Sequence, residues 1–183
     1  MEENQITNNI DNELDHFKQK ITHHNLAKCK EISVWISNQI DLDDISKQNH
    51  RIKESHERLW HPIRPVRREI YMVEMGCNVG VEFKDYHPAL IIQNDTGNTY
   101  GDTTIILPIT ELDGRIDHNI HKKITNLDFE SFERNGLDKD PSIIKLADIC
   151  TIDKARLNTR IGKVKIEFMN DVERKMKNIL KFR

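Results

Sequence analysis

The segment from His87 to Thr110, HPALIIQNDTGNTYGDTTIILPIT, constrains the fold more than any other stretch of the chain. Two apolar runs, PALIIQ and TTIILPI, carry the branched side chains that suit a pleated surface, and the NDTGNTYGD between them is made of turn formers. Two runs joined in this way read as adjacent strands of a sheet. The first opens with an imidazole and the second closes on a hydroxyl. Adjacency would therefore bring His87 and Thr110 to one mouth, where a phosphate could be gripped.

The chain has 183 residues, room for one ordinary domain or a small domain with an extension. Hydrophobic residues make up 37% and charged residues 32%, the balance of a soluble protein with a modest core. A formal charge of −2 gives no overall pull on nucleic acid, so any polyanion must be held by a local patch. No apolar stretch approaches the roughly 20 residues that cross a bilayer, and no membrane partner is expected. The start, MEENQITNNIDNELD, is polar and acidic, unlike a secretory signal. Cys29, Cys77 and Cys150 are scattered and fit neither a disulfide framework nor zinc spacing, which suggests a reducing cytoplasm.

Composition changes near Trp60–Pro65. Before that point there is no Gly or Pro, and apolar residues recur at helical spacing. Ile6, Ile10, Leu14, Phe17 and Ile21 form one stripe. After the polar HHN break, Ile32, Trp35, Ile36 and Ile40 form a second. Leu42, Ile45, Ile52 and Leu59 suggest a third helix, with Asp41 as its N-cap. Residues 1–60 thus read as a helical extension for interaction or regulation. HPIRPVRR marks a linker at 61–66, and residues 67–183 form the main domain. There the texture is β: EIYMVEM, ALIIQN, TTIILPI, HKKITNLDF and SIIKLADIC, with a turn at Asp113–Arg115. Short strands at such spacing predict a small, strongly bent sheet or barrel. A closing helix is expected from about Ile166 to Leu180, with Met169, Val172, Met176, Ile179 and Leu180 inward.

VRREIYMVEMGCNVGVEF, HPALIIQNDTGN, TTIILPIT, GLDKDPSIIKLADICTIDKARLNTRIGKV and the last helix together resemble the MazF/PemK family. Those proteins are toxins of bacterial type II toxin–antitoxin pairs. The resemblance runs from about Val66 to the C-terminus, and TIDKARL followed by IGKV is its most distinctive string. It implies an α+β fold: a strongly twisted β-barrel-like core (MazF/CcdB-like, SH3-like) with a C-terminal helix, preceded here by the helical extension. It also implies a two-fold dimer that cleaves single-stranded RNA at short sequences. The cleavage needs no metal or other cofactor and leaves a 2′,3′-cyclic phosphate and a 5′-hydroxyl. A cognate antitoxin with a flexible tail would block the RNA groove, and DNA would be met only through such a complex.

Internal cleavage of RNA requires removal of the 2′-hydroxyl proton, stabilisation of a crowded phosphorane and protonation of the leaving 5′-oxygen. In the family an Arg before the Pro of RP-[VA]-L-[VI] and a Thr ending the next strand do this work. Thr110 keeps the Thr. His87 stands where the family has Arg. An imidazole lacks the permanent charge and bidentate fork of a guanidinium, yet it exchanges protons near neutral pH. The resemblance implies His87 and Thr110 as the catalytic pair. Glu82 matches the acid of the family's G-[SC]-E-Q pattern, with Val81 and Phe83 replacing its polar neighbours. Lys84 and Tyr86 are candidates for a phosphate and a base. Asn94 is a further RNA-binding candidate, although in QNDTGN it also suits a turn. His121 falls where some relatives also carry His, and His118-x-x-His121 is too sparse for a metal site. Arg68 takes a usual Gly position. The alternative reading is a catalytically weakened protein on the same scaffold that binds RNA or an antitoxin tail. The extension, with eleven Asp/Glu against eight Lys/Arg over 1–60, would serve assembly or cover the groove.

Overall fold

A computed structural model describes residues 2–133 and 136–182. Two helices come first, α1 (Glu2–Lys20) and α2 (Leu26–Ser55). Asn25, in the expected polar break, forms the corner between them: its Oδ1 accepts from the Thr22 amide at 2.7 Å and its Nδ2 donates to the Lys20 carbonyl at 2.8 Å. The expected second and third helices are one. No Gly or Pro interrupts 26–55, so Asp41 lies inside α2 and caps nothing. Leu59 lies beyond the helix, with φ 52°. Ile6, Ile10 and Leu14 of α1 remain exposed.

The chain divides into two compact units, Met1–Gln39 and Ile40–Arg183. The second begins inside α2, well before the expected 61–66 linker. Within it, the C-terminal half of α2 is tied to the sheet by polar contacts. Ser46 donates to Asp153 at 2.7 Å, and the Lys53 ammonium lies 3.0 Å from Asp102. His61 is buried, with its amide bonded to the Thr99 carbonyl. The Trp60 ring stacks on His56 and meets the Arg58 and Arg64 guanidinium groups.

The rest is a curled antiparallel half-barrel. Its strands are β1 (Glu69–Glu74), β2 (Tyr86–Ile91), β3 (Thr103–Glu111), β4 (His121–Ile124), β5 (Phe129–Phe132), β6 (Ser142–Lys145), β7 (Cys150–Asp153) and β8 (Leu157–Val164). They are ordered β4-β6-β3-β2-β1-β8-β5, with β7 also on β3. The SIIKLADIC run splits into β6 and β7 because they pair with opposite halves of the long β3. The distinctive TIDKARL…IGKV string supplies β7 and β8. The turn-rich NDTGNTYGD contains a short helix, α3 (Asp95–Tyr100), capped by Asn94, whose side chain accepts from the Gly97 amide.

Alternation along the strands builds two apolar clusters. The larger holds Ile70, Leu90, Leu107, Ile109 and Ile144 against α4 (Ile166–Leu180), which inserts Phe168, Met169 and Val172. The smaller, on the other strand face, holds Val73, Met75, Ala89, Ile91, Ile106 and Ile152. Lys154 is fully buried and donates to the carbonyls of Asn98 and Gly101 at the end of α3. Burial pushes its ammonium down to about 8. Arg68 has φ 78°, a left-handed backbone that suits the Gly expected there, and its guanidinium bonds to Glu130 and the Val164 carbonyl.

Gly162 sets the approach of β5 to β8. A Cβ there would meet the Ser131 carbonyl oxygen at 2.4 Å and the Phe129 ring at 2.8 Å. The carbonyl belongs to backbone and cannot swing away. Gly162→Ala is expected to cost about 1–3 kcal/mol, the usual range for overpacking, read as a lower urea midpoint at unchanged slope. An unchanged midpoint would show that β5 moves freely away from β8.

Candidate active site

β2 and β3 pair with Ala89 opposite Pro108, Leu90 opposite Leu107 and Ile91 opposite Ile106. Two residues further along that register, His87 stands opposite Thr110. Facing residues of an antiparallel pair share a face, with Cβ atoms roughly 5 Å apart. Neighbouring strands continue the row. Val73 is opposite His87 on β1, Ile143 is opposite Thr110 on β6, and Lys123 is opposite Ile143 on β4. Both His87 and Thr110 are half-buried, which leaves each side chain partly open to solvent.

This face belongs to the smaller cluster. Phe83, packed against that cluster, presents its ring edge-on to His87, with centroids 5.0 Å apart. The loop carrying Phe83 is closed at its base, where the Met75 amide bonds to the Asp85 carbonyl and the Asp85 amide to the Gly76 carbonyl. Asn78 reaches across it to the Phe83 carbonyl at 2.5 Å. Within the loop Glu82 is exposed, accepts from the Val79 amide at 3.0 Å and stands on the side of Cys150. Burial, with Asp148 and then Glu82, pushes the Cys150 thiol up. Lys84 is half-buried in the same loop.

Two other candidates lie elsewhere. Tyr86 precedes His87 and so projects from the opposite face, opposite Glu74 on β1. Its phenol is pushed up by partial burial and by Glu74. It lines a cleft of about 520 Å³ whose floor includes Met72, Pro88, Ile109 and Leu137. His87 and Thr110 line that cleft too, although alternation places them on the strand face opposite Tyr86. Asn94 is at the far end of β2, seven residues or about 20 Å from His87 at the rise of a strand. Its side chain is occupied in capping α3.

The face that carries Thr110 also carries positive charge that sequence reading alone did not find. Lys145 is opposite His121 on the β6–β4 ladder, and its ammonium lies 3.1 Å from His121 Nε2. Lys145 sits two residues from Ile143, so it is the diagonal neighbour of Thr110. The Asp117 amide points at the other ring nitrogen, Nδ1, at 3.3 Å; a neutral imidazole has a single acceptor nitrogen, so the ring serves one of these two donors at a time. Burial and then the Lys145 charge lower the His121 pKa, against Asp117 and Asp148. Only the register reveals this pairing; the spacing of the two residues in sequence gives no sign of it.

Among the described residues no group of three His, Cys, Asp or Glu could hold a metal ion, and no helix is long and apolar enough to cross a membrane.

A curled antiparallel half-barrel closed by a C-terminal helix, with a polar pair at the ends of two central strands, defines the class. Residues 66–180 match the family described as PemK-like, MazF-like toxin of type II toxin–antitoxin system, and the chain belongs to that family. It is 39% identical over 113 residues to Endoribonuclease MazF of Staphylococcus saprophyticus, a match covering 62% of this chain and 82% of that protein. Among solved structures it aligns with MazF from Deinococcus radiodurans at a TM-score of 0.49 and 14% identity, over 64% of this chain and 97% of the other. An endoribonuclease in complex with its cognate antitoxin from Mycobacterial species aligns at 0.47 and 17%, over 65% and 97%. Residues 1–65 lie outside the family match.

A histidine titration followed by NMR checks the local electrostatics. His121 is expected to titrate below the usual 6.5, and Lys145→Gln to move its midpoint upward. A midpoint that ignores Lys145 would show that the two side chains do not meet in solution.

Proposed function

We propose that this chain is an endoribonuclease toxin that cuts single-stranded RNA by metal-independent attack of a ribose 2′-hydroxyl on its own 3′-phosphate. The observation that carries the reading is the juxtaposition of His87 and Thr110 in one cross-strand row, beside basic side chains, in a chain of the MazF/PemK family. His87 accepts the 2′-hydroxyl proton as O2′ bonds to phosphorus. Thr110 donates to a non-bridging oxygen as negative charge builds there. The bond from phosphorus to O5′ then breaks and O5′ takes up a proton. The products are a 2′,3′-cyclic phosphate and a 5′-hydroxyl. Glu82 and Lys84, on the loop beside His87, are the RNA contacts this reading favours, together with His121. Tyr86 and Asn94 stand away from the row and fit it less well. Family membership supports a cognate antitoxin as partner, a two-fold homodimer as the working form and the cytoplasm as the place of action.

General acid–base work is worth ~10²–10⁴-fold in rate, so His87→Ala should lower kcat/KM by about that factor. Thr110→Val, which keeps the shape and removes the donor, should lose roughly tenfold or more, as one charge-assisted hydrogen bond is worth about 1.5–3 kcal/mol. The assay is incubation of mixed-sequence RNA in EDTA, with the ends mapped. A single 2′-deoxy substitution at a cut site should abolish that cut.

His87 in place of the family Arg favours a second reading, in which the chain binds RNA or an antitoxin tail without cutting. Binding with no cleavage between pH 5 and 9 would establish it, and His87→Arg would then confer activity. A chain that cuts, with a bell or bend lost in His87→Arg, instead assigns proton transfer to the imidazole.

A further inference from the structure

The reaction proposed above places an extra negative charge on a phosphate that is already anionic. Neither His87 nor Thr110 brings a permanent positive charge to meet it, and on the adjacent loop the charge of Lys84 is offset by that of Glu82. Electrostatic stabilisation at the place where charge develops is usually the largest contribution to such catalysis. A further fixed cation on the same face would stabilise that charge.

The strand ladders identify it. On the face shared by His87 and Thr110, β6 carries Ile143 and Lys145, and β4 carries Lys123 and His121. Ile144 and Leu146 belong to the larger cluster on the other face, which leaves Lys145 on the side of Thr110. Ile124 lies in that same cluster, and Lys122 pairs with Asp171 on α4, so alternation again leaves Lys123 and His121 outward on the candidate face. Diagonal cross-strand neighbours are about 7–8 Å apart, within the reach of a long side chain. The Lys145 ammonium rests against His121 on β4, and its long side chain can swing across β6 to a phosphate resting on the Thr110 hydroxyl. Lys123 lies one strand further out and suits the next phosphate along the backbone.

We propose that Lys145, which rests against His121 in the free chain, forms an anion subsite beside Thr110 that grips the phosphate at or next to the cut. It supplies the permanent charge that an imidazole at position 87 cannot. This inference rests on the nuclease reading of the same site. His121 lies beside the ammonium, with Nε2 3.1 Å from Nζ, and Asp117 and Asp148 are the acidic groups that bear on it. The half-buried ammonium keeps its remaining donors for the ligand.

The test uses the full chain and a fluorescent, mixed-sequence single-stranded RNA with 2′-O-methyl ribose throughout, which cannot undergo the reaction. Lys145→Gln should weaken binding about tenfold, and the slope of log K against log salt should shrink by about 0.7, the value for one phosphate contact on a single strand. Lys145→Arg should restore both, and Lys145→Glu should weaken binding further. With cleavable RNA, Lys145→Gln should lower kcat/KM by about ten- to a hundredfold, while His121→Ala should show a smaller loss. Circular dichroism and the urea midpoint of each variant identify any that fail to fold, in which case Lys145→Arg against Lys145→Glu decides the question. Equal affinity, salt slope and rate in wild type and Lys145→Gln would overturn the proposal. If binding depends on Lys145 but wild type cuts nothing, the subsite stands and the nuclease reading falls. If wild type cuts and Lys145→Gln cuts equally well, the reverse holds.

Discussion

The antiparallel register of β2 on β3 is the constraint on which the site depends. Side chains alternate with a period of two, so a slip of one residue would turn either His87 or Thr110 to the other face. The register is held by burial on both sides. Leu90 and Leu107 belong to the larger cluster, while Ala89, Ile91 and Ile106 belong to the smaller. A shifted pairing would break both clusters at once. The polar pair is therefore presented by the least deformable part of the sheet, which is what a preorganised site requires.

The same rigidity divides the molecule's two candidate surfaces. One face bears His87, Thr110, Lys145 and His121, with the Phe83 loop along one side. The other bears the 520 Å³ cleft with Tyr86 on its wall. The cleft has a largely apolar floor of Met72, Pro88, Ile109 and Leu137, and His87 and Thr110 stand at its border. Charge complementarity favours the His87–Thr110 face, where lysines on β4 and β6 can follow a phosphodiester backbone even though the whole chain carries a formal charge of −2.

Much of this was legible in the sequence. The closing helix falls at Ile166–Leu180 as its apolar stripe predicts, because an amphipathic helix needs only local periodicity. The two central strands were equally clear from their branched apolar runs. Other features were hidden for identifiable reasons. α3 lies in a segment of turn formers, and its six residues are too few to show a period. α2 runs through Asp41 because a capping residue begins a helix only where the preceding chain is not already helical. Lys145 and His121 meet through a register that no pattern in either strand specifies, and Tyr86 lies on the opposite strand face from His87 because adjacent strand residues alternate. A resemblance in sequence can name positions; it cannot assign faces.

The central claim, that RNA lies across the His87–Thr110 face, is tested most directly by mapping an uncut RNA on the full chain. NMR shift changes on adding a single-stranded oligonucleotide with a 2′-deoxy ribose at a mapped cut site would show which face it occupies. The account predicts the largest changes at Phe83, His87, Thr110 and Lys145, with little at Leu137 and Arg160 in the cleft. Changes centred on the cleft and Tyr86, with His87 and Thr110 unmoved, would contradict it.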